Sequence, residues 1–197
     1  YKGINLYNDV LGKIRDWQIC ASLDGTGAVG EYIRTGLKYN QFIDNFKQGL
    51  EISRNRRQMR LDFTLTTPGL YQIQAMTELS RQLNVDMLVK VCFAFTPDIA
   101  MSPLFLPREE LHSIITAVLP QTDGAMHDVL TNLLTRPTFE EEYPDSYKQA
   151  RKRAKQRMEV YDSRRRGFKF VDTLGIGNDP NSESLIKWWN SIDTSSS

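Results

Sequence analysis

Three stretches of period-two alternation, separated by segments with helical spacing, narrow most what this chain can become. Over Trp17–Asp24, the apolar residues Trp17, Ile19, Ala21 and Leu23 alternate with Gln18, Cys20, Ser22 and Asp24. From Met59 to Thr67, Leu61, Phe63 and Leu65 stand opposite Asp62, Thr64 and Thr66. Over Asp86–Phe95, Met87, Val89, Val91 and Phe93 stand opposite Leu88, Lys90, Cys92 and Ala94. A repeat of two residues places alternate side chains on opposite faces of a strand. Between these strands, Tyr39, Phe42, Ile43, Phe46 and Leu50 share a helix face, with Asn40 as the candidate cap. Leu70, Ile73, Met76, Thr77 and Leu83 do the same after Pro68-Gly69. Strand, helix, strand, helix, strand calls for right-handed crossovers and a parallel sheet, so the expected class is α/β.

Beyond Phe95 the pattern changes. Thr96-Pro97 and Met101-Ser102-Pro103 mark a long loop. A helix is expected from Leu106-Pro107 to about Val118, another over Ala125–Leu134, and the longest over Tyr147–Arg165 with a narrow stripe of Tyr147, Ala150, Ala154, Met158 and Tyr161. The tail from Gly175 is rich in Asn and Ser, and Trp188-Trp189 is expected to dock a terminal helix on the body. This divides the chain into residues 1–118, the strand–helix part, and 119–197, a helical extension. With 25 Lys+Arg against 24 Asp+Glu, the net charge of +1 gives no global field toward nucleic acid or a membrane. No run approaches the ~18 apolar residues of a membrane span, and no signal peptide is seen. The two cysteines, Cys20 and Cys92, are too few for a disulfide framework and sit in apolar runs. They are expected to be small buried hydrophobes in a reduced, cytoplasmic protein. His112 and His127 lack metal-ligand spacing and are expected to be ordinary helix residues.

The stretch after the first strand, Ser22-Leu23-Asp24-Gly25-Thr26-Gly27-Ala28-Val29-Gly30-Glu31-Tyr32-Ile33-Arg34, carries two chemistries. Gly25, Gly27 and Gly30 spell G-x-G-x-x-G, the mark of a Rossmann-like nucleotide-binding module. Against it, the strand ends in polar Ser22 and Asp24, Gly36 interrupts the following helix, and Thr66-Thr67 stands where a ribose-binding acid belongs. The other reading takes Ser22, Asp24, Thr64 and Thr66 as a polar rim at the carboxyl ends of parallel strands, where barrels bind ligands. Arg34 reaches over that rim to pair a carboxylate through its planar fork. The plainest reading makes Asp24-Gly25 a turn and Arg34 a partner in a surface ion pair.

Ser22-Leu23-Asp24-Gly25 followed by Glu31-Tyr32-Ile33-Arg34, with Tyr39, Asn40, Phe42 and Asn45 after it, resembles the fourth-strand region of radical S-adenosylmethionine (SAM) enzymes. The likeness is to the branch with a twitch or SPASM-type extension, and it covers residues 15–118 best. The resemblance implies a partial (β/α) barrel of parallel strands, the late half of a radical SAM barrel, followed by a C-terminal helical extension. It implies SAM as cofactor, with Ser22 on the ribose, Arg34 on the methionine carboxylate, Asp24 in the same lumen, and Thr64 and Thr66 as further ribose or substrate contacts. It also implies a [4Fe-4S] cluster in the full-length protein, yet the C-x-x-x-C-x-x-C that would hold it is absent here, as is the glycine-rich SAM-binding motif. The expected partner is therefore a missing N-terminal half-barrel, and the chain alone is expected not to cleave SAM. The substrate class is a peptide or small molecule, with no membrane partner.

A cationic run remains: Lys148, Arg151, Lys152, Arg153, Lys155, Arg157 and Arg164-Arg165-Arg166. It can be a solvated helix face whose stems cover apolar surface, or a phosphate-binding surface that makes the chain a non-catalytic nucleic-acid or protein interaction module. With little aromatic interleaving, the solvated face is favoured and a nucleic-acid partner is not. In the interaction reading, alanine at Arg151, Arg153 and Arg157 abolishes salt-dependent binding.

Overall fold

In the computed structural model, the described residues are 3–94, 98–165, 167–175 and 180–194, without the side chains of Pro180 and Asn181. The three alternating segments form strands β1 (Ile19–Ser22), β2 (Met59–Leu65) and β3 (Asp86–Val91). They pair in parallel in the order β1-β2-β3, with Ser22 opposite Asp62 and Thr64 opposite Lys90. Each strand is shorter than its alternating pattern. Leu23 makes one last ladder hydrogen bond before Asp24 turns away, Thr66 precedes a helical turn at Pro68, and Phe95 lies outside the described residues. Phe93, expected on the apolar face, is exposed beyond the end of β3, with the Arg136 guanidinium 4.7 Å above its ring.

Eight α-helices accompany the sheet among the described residues: α1 (Gly27–Ile33), α2 (Tyr39–Ile52), α3 (Ile73–Leu83), α4 (Arg108–Val118), α5 (Gly124–Thr135), α6 (Phe139–Glu142), α7 (Pro144–Arg164) and α8 (Pro180–Ser191). α2 starts one residue earlier than its expected cap, because Lys38, not Asn40, occupies the N-cap position. The sequence pattern missed α1, which is short and glycine-bearing. Strands in sequential order keep both crossovers on one face of the sheet. That face is the apolar one: Leu61, Phe63, Leu65 and Val89 share a core with Phe46 of α2 and with Ile73, Met76 and Leu79 of α3. The opposite face carries exposed Cys20, Ser22 and Lys90, and buried Asp62 with Arg60 Nε 3.1 Å and Lys90 Nζ 3.3 Å away. Cys20 is thus a surface residue, contrary to expectation, because alternation puts it on the polar face. The sheet is not closed into a barrel.

The helical extension is part of the same body. Phe105, fully buried, touches Tyr147 of α7 and Trp188 and Trp189 of α8, with ring centroids 5.9, 5.4 and 6.3 Å away. The Tyr147 hydroxyl donates to the Phe105 carbonyl at 2.6 Å, and burial pushes its pKa well above the ordinary range. The tryptophan pair docks α8 on the body, as expected. His112 and His127 lie on α4 and α5 as helix residues.

One acidic residue ties two of these helices. Thr138 and Glu141 form a reciprocal capping box on α6, and Glu141 also accepts from Arg108 Nε at 3.0 Å. The Arg108 hydrogen bond, then the Thr138 backbone N–H, lower the Glu141 carboxyl to about 2. A depressed carboxyl stabilises the fold above its unfolded value, and that contribution fades as pH falls through the folded value. Glu141→Gln keeps the capping box but removes the charge. The variant is therefore expected to lose less stability than the parent between about pH 4.3 and pH 2, by at most about 1 kcal/mol for so exposed a pair. Urea midpoints at both ends of that window check this.

Candidate functional site

A cleft of about 560 Å³ opens where the carboxyl ends of all three strands meet α1 and α7. Asp24, Arg34, Thr64 and Thr66 line it together with Cys92. Four of the five residues that the sequence nominated therefore share one cavity. Ser22 is not among the lining residues. It is the last residue of β1, exposed on the open polar face opposite Asp62.

The loop after β1 is built by local contacts. Leu23 N–H donates to the Asp62 carbonyl at 3.0 Å and extends the ladder by one residue. The buried Asp24 carboxylate then takes over: its Oδ1 accepts from Thr64 N–H at 3.0 Å. Its Oδ2 lies 2.8 Å from Arg34 Nε, and this contact is a charge pairing only, since the buried Nε–H has no aligned acceptor. Arg34 caps the carboxyl end of α1, and its terminal nitrogens have no partner among the described residues. The surface ion pair and the ligand-binding fork thus converge, because Arg34 is held by Asp24 with the outer edge of its guanidinium left over. The Thr66 hydroxyl accepts from Gly69 N–H at 3.0 Å and supports the helical turn at Pro68, whereas the Thr64 hydroxyl has no partner among the described residues. Thr64 is the stronger hydrogen-bonding candidate of the two.

The glycine fingerprint does not fold as a dinucleotide loop. Buried Gln72 Oε1 accepts from both the N–H and the hydroxyl of Thr26, each at 2.9 Å, which ties the loop to the turn before α3. The sequential strand order also has no reversal, and reversal is what creates the nucleotide crevice of a doubly wound sheet.

The outer wall comes from residues that the sequence did not nominate for the site. Met158, Tyr161 and Arg165, on and just after α7, face the strand ends. Arg165 stacks over Tyr32 at 4.2 Å, donates to the Tyr32 carbonyl, and bonds Thr35 Oγ1 at 2.9 Å. The Tyr32 hydroxyl donates to Asp162 Oδ1 at 2.9 Å, and burial followed by that carboxylate drives its pKa well above the ordinary range. Asp98, on the loop after β3, accepts from Arg157 Nε at 2.7 Å and from the Tyr161 hydroxyl at 3.4 Å. Arg157, which the interaction-module alternative would place on a nucleic-acid surface, is committed to Asp98. The spacing of Arg157, Tyr161 and Arg165, one helical turn apart, could have revealed this wall. Cys92 is half-buried in the cleft and burial raises its thiol pKa, so the group is S–H.

Among the described residues no group of three or more His, Cys, Asp or Glu could hold a metal ion, and no helix is long and apolar enough to cross a membrane. A scan of protein-family models and searches of curated proteins and of solved structures each returned no match.

Proposed function

We propose that this chain is the carboxyl-terminal part of a radical SAM enzyme, supplying SAM- and substrate-lining residues at the strand ends of a partial barrel. The observation that carries the reading is the meeting of Asp24, Arg34, Thr64 and Thr66 in one cleft. Parallel strands in sequential order, with helices on the apolar face and a polar, uncovered opposite face, support the partial barrel. Parallel sheets are otherwise covered on both faces. The uncovered face and the free edge of β1 are where the expected N-terminal half-barrel belongs.

The donors fit SAM. Arg34 holds the methionine carboxylate through its free terminal nitrogens, and the Thr64 hydroxyl, with Thr66 behind it, is placed for the ribose. Asp24 fixes the Arg34 fork from the buried side. Ser22, exposed on the open polar face, lies outside the cleft lining and is not counted among the SAM contacts. Met158 and the ring of Tyr161 line the cleft on the α7 side. A bound SAM would supply radical chemistry: one electron from the cluster-bearing segment would break its C5′–S bond, releasing methionine and a 5′-deoxyadenosyl radical able to take a hydrogen atom from a substrate. The described residues do not fit a [4Fe-4S] cluster, because they offer no group of three thiolates. Its ligands and the reducing step belong to another segment, and the isolated chain is inactive.

The coding sequence upstream of Tyr1 tests this reading: it is expected to encode a C-x-x-x-C-x-x-C segment. Ligand-observed NMR on the 197-residue chain is expected to show SAM contacts through its methionine and ribose protons. An upstream region without such a segment, together with no SAM contact, overturns the proposal.

A further inference from the structure

The basic helix α7 is divided between two uses. In and just after its downstream half, three cations are held by the protein itself. Arg157 is on Asp98, Arg165 is on Tyr32 and Thr35, and Lys155 Nζ donates to the carbonyls of Asn190 and Ile192 at 3.1 and 2.8 Å, closing the end of α8. In the upstream half, Lys148, Arg151 and Arg153 have no carboxylate within ion-pair distance among the described residues. With Lys152 they line a groove of about 730 Å³ between α7 and the residues that follow α8. Two acids share its rim, Asp145 and Asp193. Lys152 and Asp193 each hold an interaction inside the protein. The field in the groove is therefore set by three unpaired cations against Asp145.

The geometry points to a binding groove for the sugar–phosphate backbone of single-stranded RNA. Lys148 and Arg151 lie one turn apart on α7 and Arg153 follows from the next turn, so at about 1.5 Å rise per residue three cations that line the groove fall within about 7.5 Å along the helix axis, a charge density that suits a polyphosphate strand. The Gln149 and Gln156 amides on the same lining add donors of the kind that position phosphates. The groove is concave, which suits a strand and not a flat bilayer. Its apolar lining residue, Ile192, is buried, so a peptide finds no apolar anchor there. No aromatic side chain lines the groove, so the phosphates, and not base stacking, carry the binding. This surface lies about 15 Å along α7 from Tyr161 in the cleft and does not depend on the SAM reading.

Fluorescence anisotropy of a labelled single-stranded RNA of about 20 nucleotides, titrated with the chain between roughly 50 and 200 mM salt, tests the groove. Binding is expected with a log–log salt slope near −2, from about −0.7 for each of three phosphates. The variant K148A/R151A/R153A is expected to bind at least about tenfold more weakly with a flatter slope, while its thermal unfolding is unchanged. K148R/R151K/R153K, which keeps the charge, is expected to retain binding, and so is the remote pair K38A/K47A. Several results would overturn the proposal: no RNA binding at the lowest salt, parental affinity in the triple alanine variant, or loss of binding in the charge-keeping variant. Tighter binding of polyglutamate or of phosphatidylserine vesicles than of RNA would do the same.

Discussion

Replacing Arg34 by alanine is expected to weaken SAM binding by about 30-fold to several thousandfold, because removing one partner of a desolvated charge pair costs roughly 2–5 kcal/mol. The structural reason lies on the far side of the guanidinium. Asp24 Oδ2 holds Nε at 2.8 Å, and Thr64 N–H fixes that same carboxylate through Oδ1, so the fork is aimed before any ligand arrives. Pre-organisation of this kind lowers the ordering cost of binding. Arg34→Lys keeps the charge but loses the planar fork, and an affinity between the two is expected. The effect separates from folding. Arg34 is 39% exposed but Asp24 only 7%, so Arg34→Ala, which leaves that carboxylate with the Thr64 N–H alone, is expected to cost about 1–3 kcal/mol of stability. Isothermal titration of SAM into the cluster-bearing enzyme, beside a thermal scan of each variant, reads both quantities. Unchanged affinity in Arg34→Ala would remove this residue from the site and leave the cleft without its main anion-binding group.

The strands and the long helices were legible because periodicity reports directly on burial. Met59–Leu65 buries Leu61, Phe63 and Leu65, and Tyr39–Ile52 buries Phe46 with Tyr39, Phe42, Ile43 and Leu50 half-buried against the same core. The carboxyl-end site was legible for a related reason: polar residues ending an otherwise apolar-alternating strand mark a rim. Other features depend on contacts between residues distant in sequence, and local pattern does not encode these. The outer wall of the cleft joins Tyr32 to Asp162 and Asp98 to Arg157 across most of the chain. The role of each cation in the basic run was equally hidden, since Arg153 and Arg157 lie one turn apart yet one faces a groove and the other an aspartate. Ser22 shows the limit of alternation. It stands on the same strand face as Asp24, but Asp24 has left the ladder and turned into the cleft, whereas Ser22 is still paired opposite Asp62. α1 escaped because glycines lower helix propensity, and its existence rests on tertiary contacts that a local reading does not see.

Those glycines give the second large effect. A Cβ added at Gly30 would stand 2.2 Å from the Gly25 carbonyl oxygen and 2.9 Å from its carbon, both backbone atoms that no side-chain rotation can move aside. The loop between β1 and α1 would have to open. That would strain the Thr26–Gln72 tether and shift the carboxyl end of α1, where Arg34 sits. Gly30→Ala is therefore expected to cost about 3 kcal/mol or more, at the upper end of overpacking penalties. For a chain of this size that lowers the melting temperature by roughly 6–12 °C. Gly27 makes an instructive contrast. Its φ is +51° and its Cβ position is open, so Gly27→Ala meets only left-handed backbone strain, about 1 kcal/mol. The ordering of the two variants tests this packing. Gly30 is needed because the chain's own carbonyl lies against it, and Gly27 only for its left-handed backbone. A thermal scan that found Gly27→Ala the more damaging of the two would contradict this packing and, with it, the placement of Arg34 over the cleft.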